Sequence, residues 1–278
     1  MNRLTRVALG TAAGALAVHA APAAMFWPPL RATLAPALAG IGERHHVALT
    51  FDDGPHPRST PFFLRELDRR NVRATFFLLG SELARTPQLG KEIAAAGHEV
   101  AVHGWFHRRL VWYTPRRTYD ELARARDLVA ATTGTQPRWF RPPYGVLTGA
   151  ALLAARRLEM RPVLWTCWGW DWSSKSTPDS VFTTVTKSLA GGGTILLHDS
   201  DVAAAVGAWK STLGALPCLL DFIGEQGWTV GPLGDHGVRG MPPAPSERRA
   251  GPLRSPAYWS RPTHGSPGAV SPRTAPTG

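Results

Sequence analysis

The chain has 278 residues, of which 44% are hydrophobic, and carries a formal net charge of +11 at pH 7; that is apolar material for one large domain or two small ones, and two cysteines, Cys167 and Cys218, are too few for a disulfide framework. The charge invites a nucleic-acid partner, but five Arg against one Glu after Gly240 put +4 of it in a Pro-rich tail, and the rest is spread as Arg65, Arg69, Arg70 and Arg124 over predicted helix faces, with no stripe of basic and aromatic residues. No nucleic acid is expected as a partner, and the basic surface suits polyanions in general, acidic wall polymers and anionic headgroups among them.

Arg3 and Arg6 precede an apolar run over 7–18 and small residues through Ala24. A positive start, a short apolar run and an A-x-A-like end describe an export signal, which puts the protein outside the cytoplasm, secreted or at the extracellular face of the membrane. The uncharged stretch continues to Leu30, so an uncleaved membrane anchor is the alternative for 1–30. Residues 31–46 read as a linker with His45 and His46 exposed in it. From Val47, strands are predicted at 47–51, 74–79, 99–103, 139–141, 162–166, 194–198 and 228–230, and helices at 60–70, 81–96, 118–133, 150–158, 178–189 and 213–225. This alternation predicts parallel βαβ units, and continuous apolar runs predict strands buried on both faces. The fold class expected for 47–239 is α/β, a barrel of seven or eight βα units or an incomplete one, with a doubly wound open sheet as its rival. No glycine-rich phosphate loop follows the first strand. After Gly240, nine prolines fall among Gly, Ser and Arg, a composition that cannot bury enough apolar surface to order itself, so 240–278 is predicted to be a disordered tail. The two cysteines are expected as small buried side chains, though a pairing in space stays open.

Unusual polar residues gather where the predicted strands end, the rim at which a parallel barrel carries its active site. TFDDGP at 50–55 closes the first strand, HGWFH at 103–107 the third and RPPYG at 141–145 the fourth; DW at 171–172 follows the fifth, and LLHD at 196–199 ends the sixth. Two histidines four apart, His103 and His107, can face one cation, and one carboxylate completes a set that leaves positions open for water and substrate. The pair Asp52 and Asp53 can divide the labour, one binding metal and the other left as a base that the cation keeps ionised. His198 stands across the rim, where it can protonate a leaving group. A bound metal lowers the pKa of water to about 7, and together these are the parts for hydrolysing an amide or ester. Each motif alone has a plainer reading as a turn, a satisfied histidine or a loop; their joint placement argues for a site. His56 reads as a turn residue at least as readily, and His98 as a histidine serving backbone groups at a helix stop. Trp105, Trp168, Trp170 and Trp172 crowd the predicted rim, as packing or as faces for sugar rings.

In this order the motifs resemble the polysaccharide deacetylases with the NodB homology domain, carbohydrate esterase family 4, over about 47–233. The resemblance implies a distorted (β/α) barrel and a hydrolase removing N-acetyl groups from an N-acetylglucosamine-containing polysaccharide: peptidoglycan, a chitin-like polymer or poly-N-acetylglucosamine. It implies Asp52 as base, and Asp53, His103 and His107 as ligands of one divalent metal, zinc foremost, with cobalt or others also serving. Arg141 would hold Asp52, the Tyr144 backbone N–H would meet the oxyanion, and Asp171 would partner His198 as general acid. Trp172, Leu196 and Pro143 would line the acetyl pocket. One departure is Gly104, which stands where the family carries Ser or Thr and bears on loop rigidity or metal affinity rather than on the ligand set. The implied partner is a polysaccharide of the cell wall or environment, with no obligate protein partner. Alternatives on the same barrel are an O-acetyl esterase of xylan type or a small cyclic amide hydrolase; the non-catalytic alternative, a wall-glycan-binding protein, is disfavoured because all five of Asp52, Asp53, His103, His107 and His198 are present.

Overall fold

The run HVALTFD is apolar and β-branched enough to be sheathed on both faces, and it forms the central strand β1 (His46–Asp52), buried from Val47 onward. The computed structural model describes Thr5, Gly14 and residues 16–238. After β1 come β2 (Thr75–Leu78), β3 (Glu99–Val102), β4 (Trp139–Phe140), β5 (Arg161–Pro162), β6 (Cys167–Trp168), β7 (Thr194–His198) and β8 (Thr229–Gly231). They form one parallel sheet in the order β5-β4-β3-β2-β1-β7-β6, with β8 paired to the start of β1. The sheet curls into a half-barrel of the expected α/β kind, open between β5 and β6.

That opening has a local cause. The strand predicted over 162–166 is instead the separate pieces β5 and β6, because the carbonyls between them are claimed by side chains. Arg141 donates to Val163 O (3.4 Å) and Leu164 O (2.8 Å), and Arg31 donates to Trp165 O (2.6 Å). A backbone acceptor already satisfied by a guanidinium has no need of a neighbouring strand.

Besides the helical residues 16–20, the helices are α1 (Pro28–Leu34), α2 (Thr60–Arg69), α3 (Gly80–Arg85), α4 (Pro87–Ala95), α5 (Pro115–Thr133), α6 (Gly149–Arg157), α7 (Pro178–Thr186) and α8 (Trp209–Glu225). The helix predicted over 81–96 is broken into α3 and α4. Pro87 lacks an N–H, and it drives the preceding Thr86 out of the helical region (φ −133°, ψ 58°). Helix α5 starts at Pro115, earlier than predicted, because the Thr114 side chain accepts from Arg117 N and caps it. Under α2, Phe63 meets Phe51 edge to face at 5.2 Å and Phe51 meets Phe76 at 5.1 Å, all three fully buried; each such side chain contributes about 1.5–3 kcal/mol by leaving water.

Register sets the rim. Asp52 pairs with His198 and Phe77, Leu78 with Val102, and Val102 with Phe140. The residues that follow β3 and β4, His103 and Arg141, therefore rise at the same level as Asp52 and His198.

Most of the first half of the segment expected as signal or anchor, and the whole of the expected tail at 240–278, lie outside the described residues; among the described residues no helix is long and apolar enough to cross a membrane. Residues 31–46, read as a linker, are packed onto the barrel. Arg31 on α1 is 1% exposed, and it ties Phe26 O (2.7 Å) and Met25 O (3.3 Å) to Trp165 O. Burial, with Arg141 nearby, lowers its pKa to about 10. His46, expected to be exposed, is half-buried, and its Nδ1 lies 2.8 Å from Nδ1 of the fully buried His236. Both cysteines are free; Cys167 is buried as expected, whereas Cys218 is exposed on α8.

Arg31→Ala should leave the Trp165 and Phe26 carbonyls without donors inside the fold, at a cost of about 3 kcal/mol. The midpoint of thermal unfolding should fall by roughly 6–12 °C. A midpoint unchanged within about 1 °C would show the N-terminal segment to be a free tether.

Candidate metal and hydrolytic site

Three polar groups converge on the axis of the rim. Asp53 follows β1 with a left-handed backbone (φ 75°) that turns its buried carboxylate back over the strand ends. Its Oδ1 lies 3.3 Å from His103 Nε2 and 3.6 Å from His107 Nε2. One ligand atom from each of Asp53, His103 and His107 falls within 4.8 Å of the others, the only such group of three among the described residues.

Protonation follows from the partners. His103 Nδ1 is 2.9 Å from Arg141 O; a carbonyl can only accept, so Nδ1 carries a proton and Nε2 is the ring nitrogen directed at Asp53. Burial lowers the His107 pKa to about 4, with Asp53 pulling upward and His103 and His198 adding to the fall. That imidazole is neutral at pH 7. Asp53 is also buried, which raises its pKa, but the close approach of His103, with His107 and His198 around it, outweighs burial and holds it well below the usual carboxylate range. Asp53 Oδ1 nonetheless makes no well-formed hydrogen bond. A buried anionic oxygen without a good donor is costly, and a carboxylate with two imidazoles beside it is the ligand set that a divalent cation completes. The residues fit a metal.

On one side of this group lies Asp52, 3% exposed. Its Oδ1 accepts from Arg141 Nη1 at 2.7 Å, and its Oδ2 sits 3.7 Å from His103 Nε2 with no hydrogen bond of its own. Arg141 is fully buried; besides Asp52 it donates to Thr50 Oγ1 (2.8 Å) and stacks over Phe77 at 4.0 Å. On the other side, His198 Nε2 is 3.9 Å from Asp53 Oδ2. Its Nδ1 lies 2.9 Å from Asp171 Oδ1, and Asp171 Oδ2 accepts from His198 N (2.8 Å) and Thr212 Oγ1 (2.7 Å). Burial would lower the His198 pKa; the charge and hydrogen bond of Asp171, with Asp53 and Asp52 behind it, carry it up to about 10.

The remaining sequence-predicted residues gather around this line. Tyr144 has φ 59° and is 46% exposed, with its ring 4.3 Å from His107 and the Arg109 guanidinium 4.8 Å above it. Pro143 is buried beside Gly104, Leu196 is buried on β7, and the Trp172 ring is 5.9 Å from that of His198. Gly104 adopts φ 101°, a conformation that Ser or Thr resists, so in this chain the missing hydroxyl goes with a backbone only glycine holds freely. Trp105, expected at the rim, is buried instead, with Arg124 over its ring at 3.4 Å. His56 lies in the turn before α2, its N–H donating to Thr60 Oγ1, and His98 accepts from Ala74 N at 3.2 Å; both have the structural roles their positions indicated.

Reading the sequence missed Thr50, Thr212 and Asp199. Asp199 is fully buried; Thr60 donates to its Oδ2, its Oδ1 has no partner, and any Cβ at Gly54 would come within 2.6 Å of it. Burial raises its pKa to about 7, against the Thr60 hydroxyl and with the push of Asp53. Position inside TFDDGP and LLHD was the only sequence signal for Thr50 and Asp199; Thr212 gave none.

The family model for polysaccharide deacetylase matches residues 39–163. A chitooligosaccharide deacetylase of a Bradyrhizobium strain is 33% identical over 194 residues, 67% of this chain and 88% of the relative. The peptidoglycan-N-acetylglucosamine deacetylase PgdA of Listeria monocytogenes is 32% identical over 186 residues, 66% of this chain and only 36% of the relative, so the present chain spans about a third of that longer protein. Among solved structures, BA3943 of Bacillus anthracis, a pseudoenzyme of carbohydrate esterase family 4, superposes with a TM-score of 0.64 at 26% identity, over 69% of this chain and 65% of that one. With the parallel half-barrel and its rim in place, these likenesses settle the class: the chain belongs to the polysaccharide deacetylase family, the NodB-type carbohydrate esterases of family 4, and is a deacetylase.

Proposed function

We propose that the protein is a metal-dependent hydrolase, exported to act on the outer side of the membrane, that removes N-acetyl groups from an N-acetylglucosamine-containing polysaccharide such as peptidoglycan, a chitin-like polymer or poly-N-acetylglucosamine. One observation carries the reading: Asp53, His103 and His107 converge between an aspartate held by arginine and a histidine held by aspartate. The names of the rhizobial and Listeria relatives support this polymer class, and the apolar run after Arg3 and Arg6 supports export.

A divalent ion held by Asp53, His103 and His107, zinc by the chemistry of two imidazoles and a carboxylate, would supply Lewis acidity to the acetyl carbonyl and make water acidic near neutrality. The chain's own groups handle the protons. Asp52, anchored through Oδ1 by Arg141, keeps Oδ2 free to accept the proton of the attacking water. The water oxygen bonds to the acetyl carbon, and the C–N bond breaks as His198 Nε2 gives its proton to the departing sugar nitrogen. Acetate and a free amino sugar result. Asp171 holds Nδ1–H, which orients the ring and stabilises the imidazolium. The Tyr144 backbone N–H is assigned to the developing oxyanion, and Trp172, Leu196 and Pro143 to the acetyl methyl. The structural neighbour BA3943 is a pseudoenzyme, and the glycan-binding alternative would make this chain another; the intact Asp52, Asp53, His103, His107 and His198 argue against it.

Acetate release from peptidoglycan, chitin oligomers and poly-N-acetylglucosamine should stop with chelator and return with added zinc; release that ignores chelator would contradict the metal. Asp52→Asn should cut turnover by at least about 10²-fold, whereas full activity in that variant would remove Asp52 from its role. In Asp171→Asn the charge that keeps His198 protonated is gone, so its pKa falls. The alkaline limb of the pH profile of kcat/KM should then move to lower pH; an unmoved limb would assign the acid elsewhere.

A further inference from the structure

Four tryptophans leave the rim beside His198 as a connected series. Trp165 and Trp168 stack at 5.5 Å, Trp168 meets Trp170 at 5.0 Å, Trp170 meets Trp172 at 4.9 Å, and Trp172 stands edge-on to His198 at 5.9 Å. Phe26, from the N-terminal segment that Arg31 ties down, adds a fifth ring 6.4 Å from Trp168 and is 42% exposed. Core packing accounts for Trp165, which is buried, but not for Trp170, which is 52% exposed.

Trp170 also holds a left-handed backbone, φ 53°, an unfavourable conformation for a bulky side chain. An exposed aromatic ring kept at the end of a strained turn, joined ring by ring to the general acid, is a surface prepared for a ligand. The flat C–H face of a pyranose is the complement of such a ring. The departing amine belongs to the sugar at His198, so the ring that Trp170 can reach belongs to that sugar's neighbour in the chain.

Resting on the deacetylase reading, we infer that Trp170, with Trp168 and Phe26 alongside, is a stacking platform for the sugar next to the one deacetylated, and that it makes the site prefer oligomers over a single acetyl group. A membrane interface is the other use of exposed aromatic rings, but the continuity with His198 favours the glycan.

The test uses the full chain and compares kcat/KM for penta-N-acetylchitopentaose with that for p-nitrophenyl acetate. In Trp170→Asn, which tolerates the left-handed turn, the preference for the pentamer should fall about three- to tenfold through KM, and Trp170→Tyr should restore it. An unchanged preference in Trp170→Asn overturns the platform, as does loss of binding to phosphatidylglycerol vesicles with the pentamer preference intact. Calorimetric binding of the pentamer in the Asp52→Asn background separates the two claims. A parent protein that hydrolyses neither substrate sinks the deacetylase reading, while weaker pentamer binding on adding Trp170→Asn would still support the platform and equal binding would end it.

Discussion

A guanidinium sealed from water governs this site. Arg141 is fully buried, where an unpaired charge is untenable, and Asp52 supplies the compensating carboxylate at 2.7 Å. The same residue's carbonyl accepts a hydrogen bond from His103 Nδ1 and thereby directs Nε2 towards Asp53. One side chain and its own backbone thus orient the proposed base and a proposed metal ligand together. Its other donors occupy the carbonyls of Val163 and Leu164, which keeps that segment out of the sheet and leaves the barrel open. The gap in the sheet and the order of the site have one origin.

Across the rim the arrangement is mirrored with opposite charges. Asp171, buried, grips His198 through its backbone N–H and its ring, and Thr212 braces the carboxylate. An anion held by a cation on one side and a potential cation held by an anion on the other leave Asp53 and its two histidines between them. The two flanks pair their groups with opposite charges, a carboxylate with a guanidinium on one side and an imidazole with a carboxylate on the other. Strand register makes this possible, because Asp52 and His198 are direct neighbours in the sheet while His103 and Arg141 follow strands that end at the same level.

Much of this was legible in the sequence. Continuous apolar runs such as VALTF and TILLH gave the central strands almost to the residue, and the polar motifs after them hold the residues that converge at the rim. The failures are physical. Strands β4, β5 and β6 are two residues long and held by side-chain donors as much as by pairing, which periodicity does not register. Thr86-Pro87 broke a helix that amphipathic spacing ran straight through. Arg31 looked like a charge in a linker because its acceptors are backbone carbonyls, invisible in composition. Trp105 sits in a rim motif yet points inward under Arg124, a choice of rotamer that spacing cannot express.

The proposed chemistry depends on one divalent ion held by Asp53, His103 and His107. Calorimetric titration of zinc into chelator-stripped protein measures that grip without reference to any substrate. It should give one ion per chain, with binding lost when His103 and Asp53 are both replaced by alanine. No binding to the parent, or undiminished binding to that double variant, would contradict it.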